Sequence, residues 1–179
     1  MLEIDNCCMV VVDVQGKLAQ LMHEKEILFA NIQILIKSAK ILNIPILWCQ
    51  QVPKALGPTL PEIAELLSDI QPLNKASFSC FGDAEFKKTI KKLSRREVIL
   101  CGIETHVCIY QTAADLQRFG HGVTVIADAV SSRAETNKKI AINKMRTMGI
   151  DISSTEMLLF ELMRTVEHPK FREVAKLVK

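Results

Sequence analysis

Short apolar runs alternate with amphipathic segments of helical periodicity along the chain, and this alternation constrains the fold more than any other feature. The apolar runs predict strands, which we place at residues 7–14, 44–49, 71–75, 97–102, 122–130 and 150–153. The segments between and after them predict helices, which we place at residues 23–43, 83–93, 105–120, 135–148 and 154–165 and from Pro169 onward. Repeated strand–helix units predict a three-layer, Rossmann-like α/β fold, with a parallel sheet between two layers of helices.

The composition favours a single domain over residues 1–179. Hydrophobic residues make up 49% of the chain, which argues against disorder, and the length allows a sizeable core. The net charge of +3 is too small to indicate a nucleic-acid partner, and the sparse aromatic residues do not suggest base stacking. One basic cluster, KKTIKKLSRR at residues 87–96, is most simply the solvated face of a helix. We therefore predict no nucleic-acid partner.

The start of the chain and its six cysteines bear on cellular location. Met1 is followed by Leu-Glu-Ile-Asp, which does not resemble a signal peptide, and no apolar stretch reaches the length of a membrane span. These features predict a cytoplasmic protein without a membrane partner, whose cysteines are thiols. The sequence has no C-x-x-C motif, so neither a redox pair nor a zinc ribbon is predicted.

Three reactive side chains fall where predicted strands end. Asp13 interrupts the first apolar run, Lys75 follows the third, and Cys108 follows the fourth, close to the start of a helix. The carboxyl ends of parallel strands meet at one edge of a sheet, and ligands of open α/β sheets bind there. We therefore expect an acid, an amine and a thiol to lie near one another.

Each of these residues also has an ordinary structural interpretation. Asp13 could cap a loop or pair with a lysine, Lys75 could extend along the surface, and Cys108 could be a small buried hydrophobe. A thiol near a helix start meets free N–H groups and the positive end of the dipole, which favour the nucleophilic thiolate. No single residue decides between structure and catalysis, but the three together at one edge favour catalysis.

The segments VVVDVQ, LNKASFSCF and GIETHVCIYQTA, in this order and spacing, resemble the isochorismatase-like hydrolases, also called the cysteine hydrolase superfamily. The resemblance extends from Met9 to about Leu162. It implies a sheet of strand order 3-2-1-4-5-6 and a catalytic triad of Asp13, Lys75 and Cys108.

The same resemblance implies further properties of the site. A non-proline cis peptide is expected at Ile103–Glu104, where it would aim backbone N–H groups, including that of Cys108, into an oxyanion hole. The expected reaction is hydrolysis of a C–N bond, such as an amide, in a small molecule through a thioester on Cys108. No cofactor is expected, and relatives form dimers or larger homo-oligomers.

The second-strand region departs from metal-binding members of this superfamily. Nicotinamidases bind a metal there through one Asp and two His, whereas LWCQQVPKALGPTLPEI contains no histidine and Glu62 as its only acid. We therefore predict no metal site. Residues 50–57 resemble a loop of small metal-free members, and we place Gln51 and Phe78 in the substrate pocket. Trp48 could line this pocket or lie in the core.

An alternative from a different class is a scaffold or partner-binding protein without catalysis. It is suggested by the altered loop at residues 50–57 and by the few polar groups near the predicted site. An intact triad argues against it. The apolar segment MLLFELM, residues 157–163, is compatible both with a subunit interface and with ordinary core packing.

Overall fold

The computed structural model describes residues 1–178, which form a six-stranded sheet covered by helices on both faces. The strands are β1 (Cys7–Val12), β2 (Ile46–Gln51), β3 (Leu73–Lys75), β4 (Glu97–Ile103), β5 (Gly122–Ser131) and β6 (Asp151–Ser153). All pairings are parallel, and the order is β3-β2-β1-β4-β5-β6. The predicted fold class and strand order are confirmed.

Helices connect consecutive strands, and two more follow β6. They are α1 (Gly16–Gln20), α2 (Lys25–Ile41), α3 (Pro53–Leu56), α4 (Pro61–Ala64), α5 (Ala84–Leu93), α6 (Tyr110–Arg118), α7 (Glu135–Thr147), α8 (Thr155–Met163) and α9 (Phe171–Ala175). Short 3-10 turns lie at Ile4–Asn6, Glu65–Leu67 and Cys80–Gly82, and a π-helical turn lies at Thr105–Ile109. Among the described residues, no helix is both long enough and apolar enough to cross a membrane.

The central strand β1 divides the interior into two cores. Successive strand side chains point to opposite faces, so Met9 and Val11 pack with α2 and α8, whereas Val10 and Val12 pack with α5 and α6. All six β1 residues are buried. This is why β1 is a continuous apolar run instead of an alternating one, as expected for a strand covered on both faces.

Local signals set the ends of two predicted helices. The Asp83 side chain accepts a hydrogen bond from the Phe86 amide at 3.0 Å and so caps α5. Lys91 and Lys92 lie in the last turn of α5, where cations complement the helix dipole. The Ser154 hydroxyl accepts from the Met157 amide at 3.3 Å and caps α8.

Two short helices and one turn differ from the sequence expectations. The helices α1 and α3 were not predicted, and residues 105–109 form a π-helical turn where an α-helix was expected. Close packing holds α1 and α3 together, because a Cβ on Gly16 would lie 2.1 Å from the Leu56 carbonyl oxygen. The segment 157–163 lies mostly in the core, and only Met157 and Phe160 expose large apolar side chains there.

All six cysteines are buried and free. The pKa of the Cys101 thiol in β4 is raised by burial from an ordinary 9.0 to about 12, because a thiolate would lose its hydration there. The unfolded chain ionises this thiol near 9, whereas the folded chain keeps it protonated. Its contribution to stability is therefore complete below pH 9 and is lost as the pH rises toward 12.

We expect the Cys101 thiol alone to lower the free energy of unfolding by about 1 kcal/mol between pH 7 and pH 10. The measurement is urea unfolding of the wild type and Cys101→Ala at both pH values. The variant loses the same core packing at both pH values. Its free energy of unfolding should therefore fall less between pH 7 and pH 10 than that of the wild type. Parallel pH curves would contradict the burial argument.

Candidate active site

The carboxyl ends of three strands bring the three predicted residues together. Asp13 follows β1 directly, Lys75 is the last residue of β3, and Cys108 lies in the turn after β4. Asp13 has a φ of 54°, a left-handed conformation that is uncommon outside glycine, and its amide donates to the Cys49 carbonyl of β2. The chain therefore turns sharply at Asp13 while its backbone stays bonded to the neighbouring strand.

Asp13 and Lys75 form a buried ion pair. Lys75 Nζ donates to Asp13 Oδ2 at 2.6 Å, and each side chain is only 2% exposed. Lys75 also donates to Gln51 Oε1 at 2.5 Å and contacts the carbonyls of Ser77 and Phe78 at 3.2 and 3.1 Å. Because its donors are fully used by these acceptors, Lys75 is fixed in one position as an ammonium.

Burial and charge oppose each other in this pair. Burial is the largest single influence on Lys75 and disfavours its ammonium, but the charge and hydrogen bond of Asp13, together with the nearby side chains of Cys80 and Cys108, outweigh burial and raise the pKa of Lys75. Burial raises the pKa of Asp13 above its ordinary 3.8, although Lys75 acts against this shift. A carboxylate with a raised pKa is better matched to accept a proton near neutral pH than an ordinary aspartate.

Cys108 lies beside the Asp13 carboxyl group, in the π-helical turn Thr105–Ile109. Burial, and then the charge of Asp13, raise the pKa of the Cys108 thiol to about 12, while Lys75 partly lowers it. The expectation that the helix start would favour a thiolate is therefore wrong for the free protein. The Cys108 side chain therefore rests as a thiol in the free protein, and loss of hydration is the largest cause.

Asp13 Oδ1 is buried and has no hydrogen-bond partner among the described residues. The thiol of Cys108 is close enough to this carboxyl group to change its pKa. One carboxylate oxygen is thus held by Lys75 and the other is free to receive a proton.

A close backbone contact places the turn that carries Cys108. Gly102 has a φ of 119°, and a Cβ there would lie 2.1 Å from the Val12 carbonyl oxygen, so only glycine fits against the end of β1. One residue further along, the Ile103–Glu104 peptide bond is cis, at the position named from the sequence. The Glu104 carbonyl accepts from the amides of Val107 and Ile109 but not from that of Cys108 between them.

An ion pair fixes the side chain of Glu104. Arg133, which follows β5, donates to Glu104 Oε1 from Nε at 2.9 Å and from its backbone amide at 3.2 Å. Glu104 is buried, whereas the Arg133 side chain is 60% exposed. This pair joins the loop after β5 to the turn that carries the thiol.

A cavity of about 340 Å³ opens beside the thiol and the carboxyl group. The structure places both Gln51 and Phe78 in its lining, together with Asp13 and Cys108. Further apolar walls come from Leu18, Leu56, Ile103 and Val107. Lys75 lies behind Asp13 and outside the lining, and Trp48 lies in the core, where its Nε1 donates to Thr59 Oγ1. The cavity therefore combines a small reactive wall with largely apolar surroundings.

Sequence reasoning missed two residues of this region. Gln15 is fully buried, and its Oε1 accepts from the Gln51 amide at 2.6 Å while its Nε2 donates to the Gly57 carbonyl at 2.8 Å. It positions Gln51 and the loop after β2. Arg133 could have been found, because it follows the end of a predicted strand, as Cys108 does.

Within residues 1–178, no group of three or more His, Cys, Asp or Glu side chains is arranged to hold a metal ion. The absence of a metal and of any other cofactor from the working protein stays a prediction.

Comparisons with known proteins bear on the family and the fold of this chain. The isochorismatase domain family matches residues 7–157. Isochorismatase domain-containing protein 2 from Danio rerio is 36% identical over 167 residues, which cover 93% of this chain and 83% of the relative. A solved structure described as MAR1 ribonuclease from Caenorhabditis elegans is 36% identical, with a TM-score of 0.93 over 99% of this chain and 91% of the other.

A more distant structure shares the fold. The YcaC gene product from Escherichia coli, described as an octameric hydrolase of unknown specificity, is 22% identical with a TM-score of 0.88. The match covers 98% of this chain and 94% of that chain. The family match over most of the chain and the Danio rerio relative lead to one conclusion: this chain belongs to the isochorismatase family.

Proposed function

We propose that this protein is a cysteine hydrolase that cleaves a C–N bond, such as an amide, in a small molecule through a covalent thioester. The observation that carries the proposal is the convergence of a thiol and a carboxylate at one wall of a cavity, with a buried ammonium paired to the carboxylate behind that wall. Cys108 is the nucleophile, Asp13 the general base and acid, and Lys75 the residue that holds Asp13 in place.

The first step is attack of Cys108 on the carbonyl carbon of the substrate. The thiol proton passes to Asp13 Oδ1 as the S–C bond forms, and the carbonyl oxygen takes the negative charge. Proton transfer within the attack suits a thiol whose pKa is about 12, because no free thiolate has to form beforehand. The backbone amide of Cys108, which does not donate to the Glu104 carbonyl, binds the oxyanion in this proposal.

The second step breaks the C–N bond. Asp13 returns its proton to the leaving nitrogen as the carbonyl re-forms, which leaves a thioester on Cys108 and a carboxylate on Asp13. The same carboxylate then takes a proton from water, the resulting hydroxide attacks the thioester, and the acid leaves as Cys108 regains a proton. Lys75 stays charged throughout, so each proton transfer involves Asp13 alone.

The cavity limits the class of substrate. A volume of about 340 Å³ is at the lower end for ligand sites and admits a small molecule, not a polypeptide segment. Its walls are mainly aliphatic or aromatic, so an apolar substituent next to the scissile carbonyl gains from burial.

Cleavage of RNA is the competing proposal, because the Caenorhabditis elegans relative is called a ribonuclease. A phosphodiester needs free cations that face its oxygens. Here Lys75 is buried against its own acceptors, Arg133 is paired with Glu104, and the Asp13 carboxylate lies beside the thiol. This arrangement favours a neutral carbonyl over a phosphate at the reactive wall.

The experiment is a screen of small amides and ureides, with an RNA oligonucleotide included, for the wild type, Cys108→Ala and Cys101→Ala. We expect Cys108→Ala to lose at least about 10³-fold in the rate of amide hydrolysis, since the covalent route is removed. Cys101→Ala removes a buried thiol outside the cavity and should keep its activity.

Two outcomes of the screen would count against the proposal. Unchanged hydrolysis in Cys108→Ala would exclude the thioester route. RNA cleavage that Cys108→Ala abolishes, in the absence of any amide hydrolysis, would support the competing proposal. A complete lack of turnover would instead favour the scaffold alternative.

The oligomeric state and the residues that form its interface are also proposed. We expect a homo-oligomer, which the octameric description of the Escherichia coli structure supports by likeness of fold. Met157 and Phe160 are candidate contact residues, because they expose apolar surface on α8. A single domain and a cytoplasmic location stay predictions from the sequence.

A further inference from the structure

A second and larger cavity, of about 640 Å³, lies between α5 and the end of α6. Arg96 directly precedes β4 and His121 directly precedes β5, and both line this cavity. It therefore lies toward the amino-terminal ends of these strands, whereas Cys108 follows the carboxyl end of β4. The proposed hydrolase chemistry makes no use of it.

Four cations line the cavity, and no acid does. They are Lys87, Lys91, Arg95 and Arg96. None of the four has a carboxylate within 4.0 Å among the described residues, although four other lysines of the chain form ion pairs with spacings of four residues or fewer. Unpaired cations that share one concave surface raise the local concentration of anions there.

The helix dipole accounts for only part of this cluster. Lys91 lies in the last turn of α5, where a cation is favoured by the helix itself. Lys87 lies in the first half of α5, and Arg95 and Arg96 lie beyond its end. These three cations therefore need a different explanation.

The floor of the cavity is aromatic. The rings of Phe81 and Phe119 stack with centroids 4.5 Å apart and an interplanar angle of 21°, and the Lys87 ammonium lies 5.9 Å from the Phe81 centroid. Phe119 is nevertheless 59% exposed. An exposed phenyl ring at the end of a stack offers a surface on which another planar ring can stack.

His121 adds an unsatisfied polar atom. Its ring lines the cavity and lies edge-on to Phe81, with centroids 6.4 Å apart. Its Nδ1 is buried and has no hydrogen-bond partner among the described residues. An imidazole that turns about its Cβ–Cγ bond can offer this atom to a ligand that carries a donor or an acceptor.

We propose that this cavity binds a nucleoside phosphate, either as a free nucleotide or as one unit of a single-stranded polynucleotide. The base stacks on Phe119, the phosphate lies among Lys87, Arg95 and Arg96, and His121 bonds a polar group of the base or ribose. The volume is sufficient for a mononucleotide.

This proposal gives a specific role to the basic cluster at residues 87–96, which is most simply a solvated helix face when the sequence is considered alone. A solvated face needs neither an aromatic floor nor cations from outside the helix. The sequence predicts no nucleic-acid partner. That prediction fails only if the ligand of this cavity is a polynucleotide, and it holds if the ligand is a free nucleotide. It is independent of the chemistry at Cys108.

The test is isothermal titration calorimetry of the full chain at low salt, with AMP, adenosine, inorganic phosphate and a ten-residue oligoadenylate as probes. We expect AMP to bind at least about tenfold more tightly than adenosine or phosphate, because only AMP uses both surfaces. Lys87→Ala and Phe119→Ala should each weaken AMP binding about tenfold. If the oligoadenylate binds about 100-fold more tightly than AMP, the natural ligand of the cavity is a polynucleotide. Equal affinity for the two probes indicates a free nucleotide.

Matched controls separate the cavity from general charge and apolar surface. Lys92→Ala removes an exposed cation of α5 outside the cavity, and Phe160→Ala removes an exposed phenyl group on α8. Neither should change the affinity. The proposal is overturned if neither AMP nor the oligoadenylate binds at about 5 mM probe, if the controls weaken binding equally, or if phosphate binds as tightly as AMP.

Discussion

Asp13→Asn is expected to lower the pKa of the Cys108 thiol below about 12 and, at the same time, to slow hydrolysis by about 10²- to 10⁴-fold. Burial is the main cause of the raised pKa, and the Asp13 carboxylate is the next. An asparagine removes that negative charge and leaves the Lys75 ammonium beside the sulfur, so the thiolate becomes easier to form. The same change removes the group that carries the proton in the proposed mechanism.

This combination distinguishes a base from a merely structural carboxylate. The first measurement is the pH midpoint of Cys108 alkylation by iodoacetamide, followed by mass spectrometry of the intact protein and its peptides. The second is the rate of hydrolysis of a substrate from the amide screen. A variant with a more reactive thiol and slower turnover would show that Asp13 acts in catalysis by moving protons and not by making a thiolate.

Asp151→Asn is the matched control. It removes the same negative charge as Asp13→Asn, but from an exposed residue of β6 away from the cavity. It should alter neither the alkylation midpoint nor the rate. A midpoint in Asp13→Asn that is unchanged or higher than that of the wild type would contradict the placement of the carboxylate beside the thiol. Unchanged hydrolysis would remove Asp13 from the mechanism.

The central strands β1, β4 and β5 were predictable because nearly all their residues are buried, on both faces of the sheet. The run at residues 7–14 contains β1, and the ends of β4 and β5 lie within one residue of their predicted positions. Strand ends in turn indicated where Asp13, Lys75 and Cys108 meet. A parallel sheet makes this step reliable, because it collects the carboxyl ends of its strands at one edge.

The protonation state of Cys108 was not predictable in the same way. Proximity to a helix start is visible in the sequence, but loss of hydration depends on atoms from other elements that cover the sulfur. The π-helical turn at Thr105–Ile109 shows a related limit, because its bonding depends on the Glu104 carbonyl and on the close approach of Gly102 to Val12. Both features arise from tertiary contacts and not from local propensity.

Replacement of Lys75 by methionine is expected to lower the free energy of unfolding by about 3–5 kcal/mol. The side chain is 2% exposed and paired with an equally buried Asp13, so its removal leaves a buried carboxylate without a counter-charge. Without Lys75 the pKa of Asp13, already raised by burial, rises further above its ordinary 3.8. Stability is then fullest below pH 3.8 and is lost as the pH rises through the folded-state pKa of Asp13.

Urea unfolding between pH 4 and pH 8 measures this loss, which should grow with pH in Lys75→Met. The double variant Asp13→Asn/Lys75→Met removes both charges and should recover much of the stability, because no uncompensated charge remains. Lys40→Met breaks an exposed lysine–aspartate pair, with Asp69, and should cost far less. If the double variant is as unstable as the sum of its two single variants, the two charges do not act as a pair, and Lys75 holds Asp13 through packing alone.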